Sequence, residues 1–234
     1  MIDVALLLIL GLVAWNVAAE GAWGATAVFF SVLLSALIAM DYFEPLADLM
    51  QSALGNDWAN RVDFIALVGL FALGVFGLRY LSDKLVPNFI TVNSRFYDAC
   101  RWVFGVSTGY LTVAFLLAAL HTAPLPREFL GFTPERNNFF GMLAPDRDWL
   151  GFVQYVSERS MPSWEDGRVF DGSSFRLPGH DNEIWPTYIF RYASRRENYG
   201  SGAPAVVPPT IEAPTGGGTS GGGHHAAPSG PPGL

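Results

Sequence analysis

The 234-residue chain has a single cysteine, Cys100, and only 15% of its residues are charged. Average globular chains are about 25% charged, so this deficit points away from an ordinary water-soluble domain. One cysteine cannot form a disulfide within the chain, and we interpret Cys100 as a small buried apolar residue rather than a reactive thiol. The formal net charge of −7 argues against nucleic-acid binding, which requires a basic surface.

Enzyme signatures are also missing from the sequence. It contains no P-loop, no dinucleotide-binding glycine fingerprint, no HExxH zinc motif and no GxSxG nucleophile elbow. His121 and His180 have no evident nucleophile or metal partners in the sequence. The pair His224-His225 stands in a glycine-rich stretch and is interpreted as solvated, because a metal site needs more ligands. The sequence therefore predicts a non-enzymatic protein without catalytic residues, cofactor or metal.

Long apolar stretches occur only in the first half of the chain. They cover residues 2–18, 25–40, 64–78 and 102–120. Each approaches the length that a helix needs to cross a hydrocarbon core of about 30 Å. We therefore predict an all-α integral membrane protein with four transmembrane helices. The first stretch lacks the basic start of a secretory signal, so we expect it to be retained.

This distribution predicts three regions. Residues 1–122 form a four-helix membrane domain, in which residues 41–50 are a short amphipathic helix on the membrane surface. A second amphipathic stretch, residues 89–101, leads into the fourth span. Residues 123–199 are a polar and aromatic extension with one amphipathic helix at 146–161, which either belongs to a small domain or lies against the membrane. Five apolar residues share one side of that helix: Trp149, Leu150, Phe152, Val153 and Val156. Residues 200–234 are rich in Gly, Pro and Ser and are predicted to be a disordered tail.

Basic residues near the spans predict the orientation of the chain. The link between the third and fourth spans contains Arg79, Lys84, Arg95 and Arg101, whereas the link between the first two spans contains no basic residue. Basic residues accumulate in cytoplasmic loops. We therefore expect residues 79–101 in the cytoplasm and the C-terminal tail outside it.

Four glycines mark two candidate helix contacts. Gly21 and Gly24 lie in the hinge between the first two spans, where glycine allows the chain to reverse sharply. Gly105 and Gly109 form a small-xxx-small face in the fourth span, which lets another helix approach closely. That helix belongs either to this chain or to a second copy, and the sequence leaves both readings open.

Three charged residues at the membrane edge are the polar candidates. Asp3 is either a functional intramembrane acid or a headgroup-level carboxylate that suits a helix N-terminus. Asp98 and Arg101 are three residues apart and share a helical face, so we predict a simple surface pair.

Together these features resemble the colicin V production protein family, CvpA, whose members are small inner-membrane proteins with four predicted spans. The resemblance covers about residues 1–122. It rests on an aspartate opening the first span, a glycine hinge, and an aspartate followed by spaced glycines at the fourth span: Asp3, Gly21, Gly24, Asp98, Gly105 and Gly109. The chain departs from the family in its hinge, where Glu20 stands in place of the usual arginine.

The resemblance implies a bacterial inner-membrane protein associated with toxin (colicin V) production or export and with envelope homeostasis. We expect a non-enzymatic scaffold whose partners are the lipid bilayer and either other membrane proteins or a second copy of the chain. The alternative function is a small transporter or channel with Asp3, Gly105 and Gly109 near a path. The spans contain few polar residues, which favours the scaffold.

Overall fold

The computed structural model describes residues 2–55, 58–85, 94–126, 128–134 and 137–160, together with residues 170, 175, 176, 184, 185, 188, 189, 191–193 and 196. Its helices are α1 (Ile2–Ala19), α2 (Gly21–Leu54), α3 (Ala59–Leu85), α4 (Ser94–Thr122) and α5 (Pro145–Arg159). Two short strands, β1 (Phe175–Arg176) and β2 (Ile184–Trp185), pair in an antiparallel arrangement.

The first four helices are long and apolar enough to cross a membrane, which confirms the prediction of four transmembrane helices. Their Leu, Val, Ala and Phe side chains are compatible with lipid, and a helix satisfies its own backbone hydrogen bonds where no water is present. The predicted tail, residues 200–234, lies outside the described residues.

The four long helices form a layer in the order α3, α2, α4, α1. α2 packs on α3 and α4, α4 also packs on α1, and the remaining pairs touch only lightly. The middle helix α4 therefore has 56% of its most apolar window buried, whereas the edge helix α3 has only 11% buried. The edge helices α1 and α3 thus direct most of their apolar side chains away from the protein.

The centre of the layer is apolar, and two of its hydroxyl groups bond within their own helices. Phe71 of α3 stacks on Phe115 of α4 with ring centroids 4.1 Å apart. Ser31 and Thr108 each donate to the carbonyl oxygen four residues earlier, at 2.8 Å and 2.7 Å. Such bonds satisfy a hydroxyl within its own helix, as the membrane interior requires.

α2 is longer than the sequence predicts. In place of a separate surface helix at residues 41–50, α2 continues unbroken with Pro45 inside it. Phe43 and Ala47 lie one turn apart and are 0% and 1% exposed, because they belong to the same buried cluster as Tyr188. Pro45 removes one helical hydrogen bond, and this packing offsets the loss.

The hinge between α1 and α2 is reduced to Glu20. Gly21 begins α2 with φ of +87°, a conformation that favours glycine, and a Cβ at this position would collide with the Tyr97 hydroxyl. Gly24, the other predicted hinge residue, lies within α2 against the Glu20 side chain. Glu20 also forms an ion pair with Arg79 near the end of α3. The predicted sharp reversal is therefore present, with a shorter link than expected.

Candidate functional site

One end of the helix layer is covered by chain that follows α4. We call this cover the cap, and it consists of α5 and the described residues between 188 and 196. Trp149, Leu150 and Val153 of α5 are buried in the main apolar cluster, on the side that the sequence predicts. Phe152 was predicted to share that side but is 41% exposed. The described part of the extension thus packs on the membrane helices.

A buried histidine–aspartate pair joins the cap to α4. Nε2 of His121, at the end of α4, lies 3.0 Å from Oδ2 of Asp146, at the start of α5. Both side chains are 0% exposed. The two atoms are within hydrogen-bond distance of each other.

The surroundings of this pair are aromatic. The Phe132 and Tyr188 rings lie 5.0 Å and 6.2 Å from the His121 ring, both edge-on. Among the described residues, His121 Nδ1 and Asp146 Oδ1 have no hydrogen-bond partner. Because the pair is closed to solvent, its geometry suits the attachment of α5 to α4 and does not present a base to a substrate. The sequence indicates no nucleophile or metal partner for His121, and the structure pairs its ring with Asp146.

Three further polar contacts fasten the cap. The Tyr188 hydroxyl donates to the Ala118 carbonyl at 3.1 Å. Arg191 forms an ion pair with Glu44 of α2. Arg196 is only 3% exposed, and its guanidinium lies 4.9 Å from the Phe132 ring centroid.

Arg196 binds backbone carbonyl groups at and just beyond the end of α4. Its Nε, Nη1 and Nη2 donate to the carbonyl oxygens of Leu125, Leu120 and Pro126 at 3.1, 3.3 and 2.6 Å. The last carbonyl groups of a helix have no partner within the helix, and a cation is favourable there because of the helix dipole. Arg196 therefore caps one carbonyl in the last turn of α4, that of Leu120, and holds the chain that follows the helix.

Tyr192 is a buried phenol in the cap. Its ring lies tilted against that of Tyr188, with ring centroids 4.8 Å apart. Burial raises the pKa of Tyr192 above its ordinary value, and the Asp63 carboxylate raises it further. Tyr192 thus remains a neutral, packed aromatic residue.

Asp41 of α2 is the least satisfied acid among the described residues. It is 8% exposed, and neither carboxylate oxygen has a hydrogen-bond partner within the described part of the chain. Its backbone carbonyl also lacks the usual helical donor, because residue 45, four positions later, is proline. No motif in the sequence marks Asp41, since it stands at the boundary where the second span was expected to end.

The predicted glycine face of α4 lies against α1. An ideal Cβ on Gly105 would be 2.8 Å from the Ala14 carbonyl oxygen, and one on Gly109 would be 2.6 Å from that of Leu10. Backbone atoms cannot move aside as a side chain can, so these positions require glycine. Of the two readings that the sequence left open, the structure places this face in a contact within the chain.

The predicted charged residues lie at opposite ends of the layer. Asp3 is at the capped end, where its Oδ1 accepts a hydrogen bond from the Phe140 backbone N–H at 2.7 Å. Asp98 and Arg101 lie at the other end and form an exposed ion pair at 3.1 Å. Cys100 is a free, half-buried thiol. The structure therefore does not bring Asp3 and the Asp98–Arg101 pair into one site.

Metal-binding side chains are not clustered in the described part of the chain. Among those residues, no group of three or more His, Cys, Asp or Glu side chains is arranged to hold a metal ion. The His121–Asp146 pair supplies two such side chains, and they bind each other.

The chain matches a known protein family. The family model described as colicin V production protein matches residues 2–138, which include all four membrane helices. Searches of curated proteins and of solved structures find no significant match. α5 and the rest of the cap follow the matched region.

Proposed function

The chain belongs to the colicin V production protein family. We propose that it acts in toxin (colicin V) production or export as a non-enzymatic scaffold that binds other membrane proteins in the bacterial inner membrane. The proposal extends to envelope homeostasis, which the resemblance implies. Partners would contact the layer of membrane helices from the side, within the bilayer.

The outer face of α3 carries this proposal. Leu73 and Phe76 are 72% and 75% exposed, among the most exposed large apolar residues that the structure describes. Gly69 and Gly77 on α3 have no atom within 4 Å of an ideal Cβ. Small residues beside large apolar ones let a second helix approach closely in lipid, where packing drives association.

The burial of the polar groups supports a non-enzymatic role. His121 and Asp146 bind each other out of reach of solvent. Ser31 and Thr108 are bonded within their own helices. A catalytic group must lie within hydrogen-bond reach of its substrate, and these side chains have other partners.

Copurification tests the scaffold. Wild-type protein purified from native membranes in mild detergent should retain a membrane protein that Gly69→Leu and Gly77→Leu lose, because leucine separates closely packed helices. Gly11→Leu on α1 is the matched control, since Gly11 also has nothing within 4 Å. All three variants should keep the wild-type thermal stability.

Equal copurification from all three variants would contradict the proposed α3 contact. If the retained protein is a second copy of this chain, the scaffold is a homo-oligomer, and the proposal that it binds other membrane proteins fails. An enzymatic activity of the purified protein would contradict the non-enzymatic part of the proposal.

Orientation in the inner membrane is part of the same proposal. The link 79–101 contains four basic residues, which supports a position of the link in the cytoplasm and of residues 200–234 outside it. Alkaline phosphatase fused after Leu234 should therefore be active. Green fluorescent protein fused at the same point should not fluoresce, because it would cross the membrane unfolded. The reverse pair of results would invert the orientation.

The alternative, a small transporter or channel, is favoured by a different residue from those first considered. Gly105 and Gly109 are closed by α1. The buried, unpaired carboxylate of Asp41 is the feature that a transport path would use, because ionisable groups in membrane proteins commonly mark such paths. Uptake of an ion or solute by proteoliposomes that Asp41→Asn abolishes would favour this alternative over the scaffold.

A further inference from the structure

Two tight turns between α4 and α5 expose large apolar side chains. In the first turn Phe129 and Phe132 pair in an antiparallel bridge, with Leu130 and Gly131 at its tip. In the second, Phe139 pairs with Leu143, and the tip begins at Phe140. Leu130, Phe140, Met142 and Leu143 are 58%, 43%, 77% and 50% exposed.

Both tips place a bulky apolar residue where the backbone disfavours one. Leu130 has φ of +51° and Phe140 has φ of +55°, and each is followed by a glycine that also has positive φ. Turns of this kind normally use Asn, Asp or Gly at such positions, because a large side chain is strained there. Strain that persists at two equivalent positions indicates that these side chains have a use.

The bases of the turns are held firmly on the protein. Phe132 is 1% exposed, and Phe139 packs with it against Ile2 and Leu6 of α1. Asn138 joins the two turns, since its Oδ1 accepts from Thr133 N–H at 3.2 Å and its Nδ2 donates to Thr133 O at 2.9 Å. The tips are therefore displayed by a rigid base.

Two hydrogen bonds place the tips level with the start of the first membrane helix. Ile2 N–H donates to the Leu130 carbonyl at 3.2 Å, and the Phe140 N–H donates to Asp3 at 2.7 Å. Immediately beyond this point α1 exposes Val4 and Leu8, at 59% and 68%. The exposed tips are thus continuous with the lipid-facing surface of α1.

We propose that Leu130, Phe140, Met142 and Leu143 insert into the interfacial layer of the membrane leaflet at the capped end and anchor the cap to lipid. The ligand is the boundary between headgroups and acyl chains, which accepts apolar side chains from an otherwise polar segment. This anchor is distinct from the α3 contact with partner proteins, since it lies on α1's side of the layer.

Spin labelling in lipid nanodiscs tests the anchor with the full chain. On a Cys100→Ala background, labels at Met142→Cys and Leu143→Cys are compared with Val4→Cys in the membrane and Glu158→Cys on exposed α5. The tip labels should be reached by molecular oxygen more readily than by a water-soluble nickel complex, as at Val4. Tip labels that behave like the label at Glu158 would overturn the proposal.

Asparagine at the tips separates lipid insertion from folding. Asparagine tolerates positive φ, so Leu130→Asn and Phe140→Asn should leave thermal stability in detergent unchanged or raised. In nanodiscs the same changes should make a label at Met142→Cys more accessible to the nickel complex. Lower stability in detergent without a change in label accessibility would show that the tips support the fold instead. A tip label shielded from both reagents would report a protein contact and would also overturn the anchor.

Discussion

His121→Ala should lower the free energy of unfolding by about 1–3 kcal/mol, since removal of one partner leaves a buried polar group without its hydrogen bond. Asp146 would then be a fully buried carboxyl group at the start of α5, without the ring nitrogen that now lies 3.0 Å away. Unfolding of the purified protein in mild detergent, followed by circular dichroism over a denaturant series, measures this loss.

A double-mutant cycle isolates the contribution of the pair. His121→Ala combined with Asp146→Ala should be less destabilising than the sum of the two single changes, because the double variant leaves neither partner of the pair buried without its hydrogen bond. The matched control is the exposed pair of Asp98 and Arg101, where Asp98→Ala should cost about 0–1 kcal/mol. Additive effects of His121→Ala and Asp146→Ala would show that the two residues do not interact.

Gly109→Leu should be nearly as damaging, with a loss of about 1–3 kcal/mol typical of overpacking. The first atom of the new side chain would be 2.6 Å from the Leu10 carbonyl oxygen, so α1 and α4 must separate. Gly105→Leu should act in the same way, against Ala14. The same denaturant series measures both variants.

Val106→Leu provides the control, because Val106 on the same helix is 48% exposed and a larger side chain can extend outward. The two glycine variants should be less stable than Val106→Leu and prone to aggregate as monomers. Equal stability of the three variants would contradict the contact between α1 and α4. Crosslinked dimers that disappear while the monomer remains folded would assign the glycine face to a subunit contact.

The membrane helices could be predicted from the sequence because a bilayer imposes a fixed length and an apolar composition on each of them. The helix α5 was also predictable, since Trp149, Leu150 and Val153 recur at helical spacing and are buried together. These signals are local, so a single sequence is enough to detect them.

The contacts of the cap could not be predicted in this way. His121 and Asp146 are 25 residues apart and belong to different helices, so no periodic pattern links them. The only signals are a histidine at the end of an apolar stretch and an aspartate at a helix start, and both have ordinary explanations. The continuation of α2 through Pro45 depends on packing with Tyr188, which is even more distant in the chain.

The positive φ values at Leu130 and Phe140 could not be predicted from the sequence for a different reason. A glycine after a large apolar residue predicts a turn, but sequence propensity places Asn or Gly at the strained position. The bulky residues stand there because Phe132 and Phe139, at the bases of the turns, hold them in place through tertiary contacts.

The central claim is that four crossings place the cap and the extended end of α2 on one side of the membrane. Cysteine accessibility in whole cells tests this claim most directly. On a Cys100→Ala background, Ser52→Cys and Glu158→Cys should react with an impermeant maleimide under the same condition. Ser82→Cys, near the end of α3, should react only under the other of the two conditions, intact or permeabilised cells. If the basic link is cytoplasmic, Ser82→Cys reacts only after permeabilisation. Equal labelling of Ser52→Cys and Ser82→Cys in intact cells would contradict the four-helix arrangement.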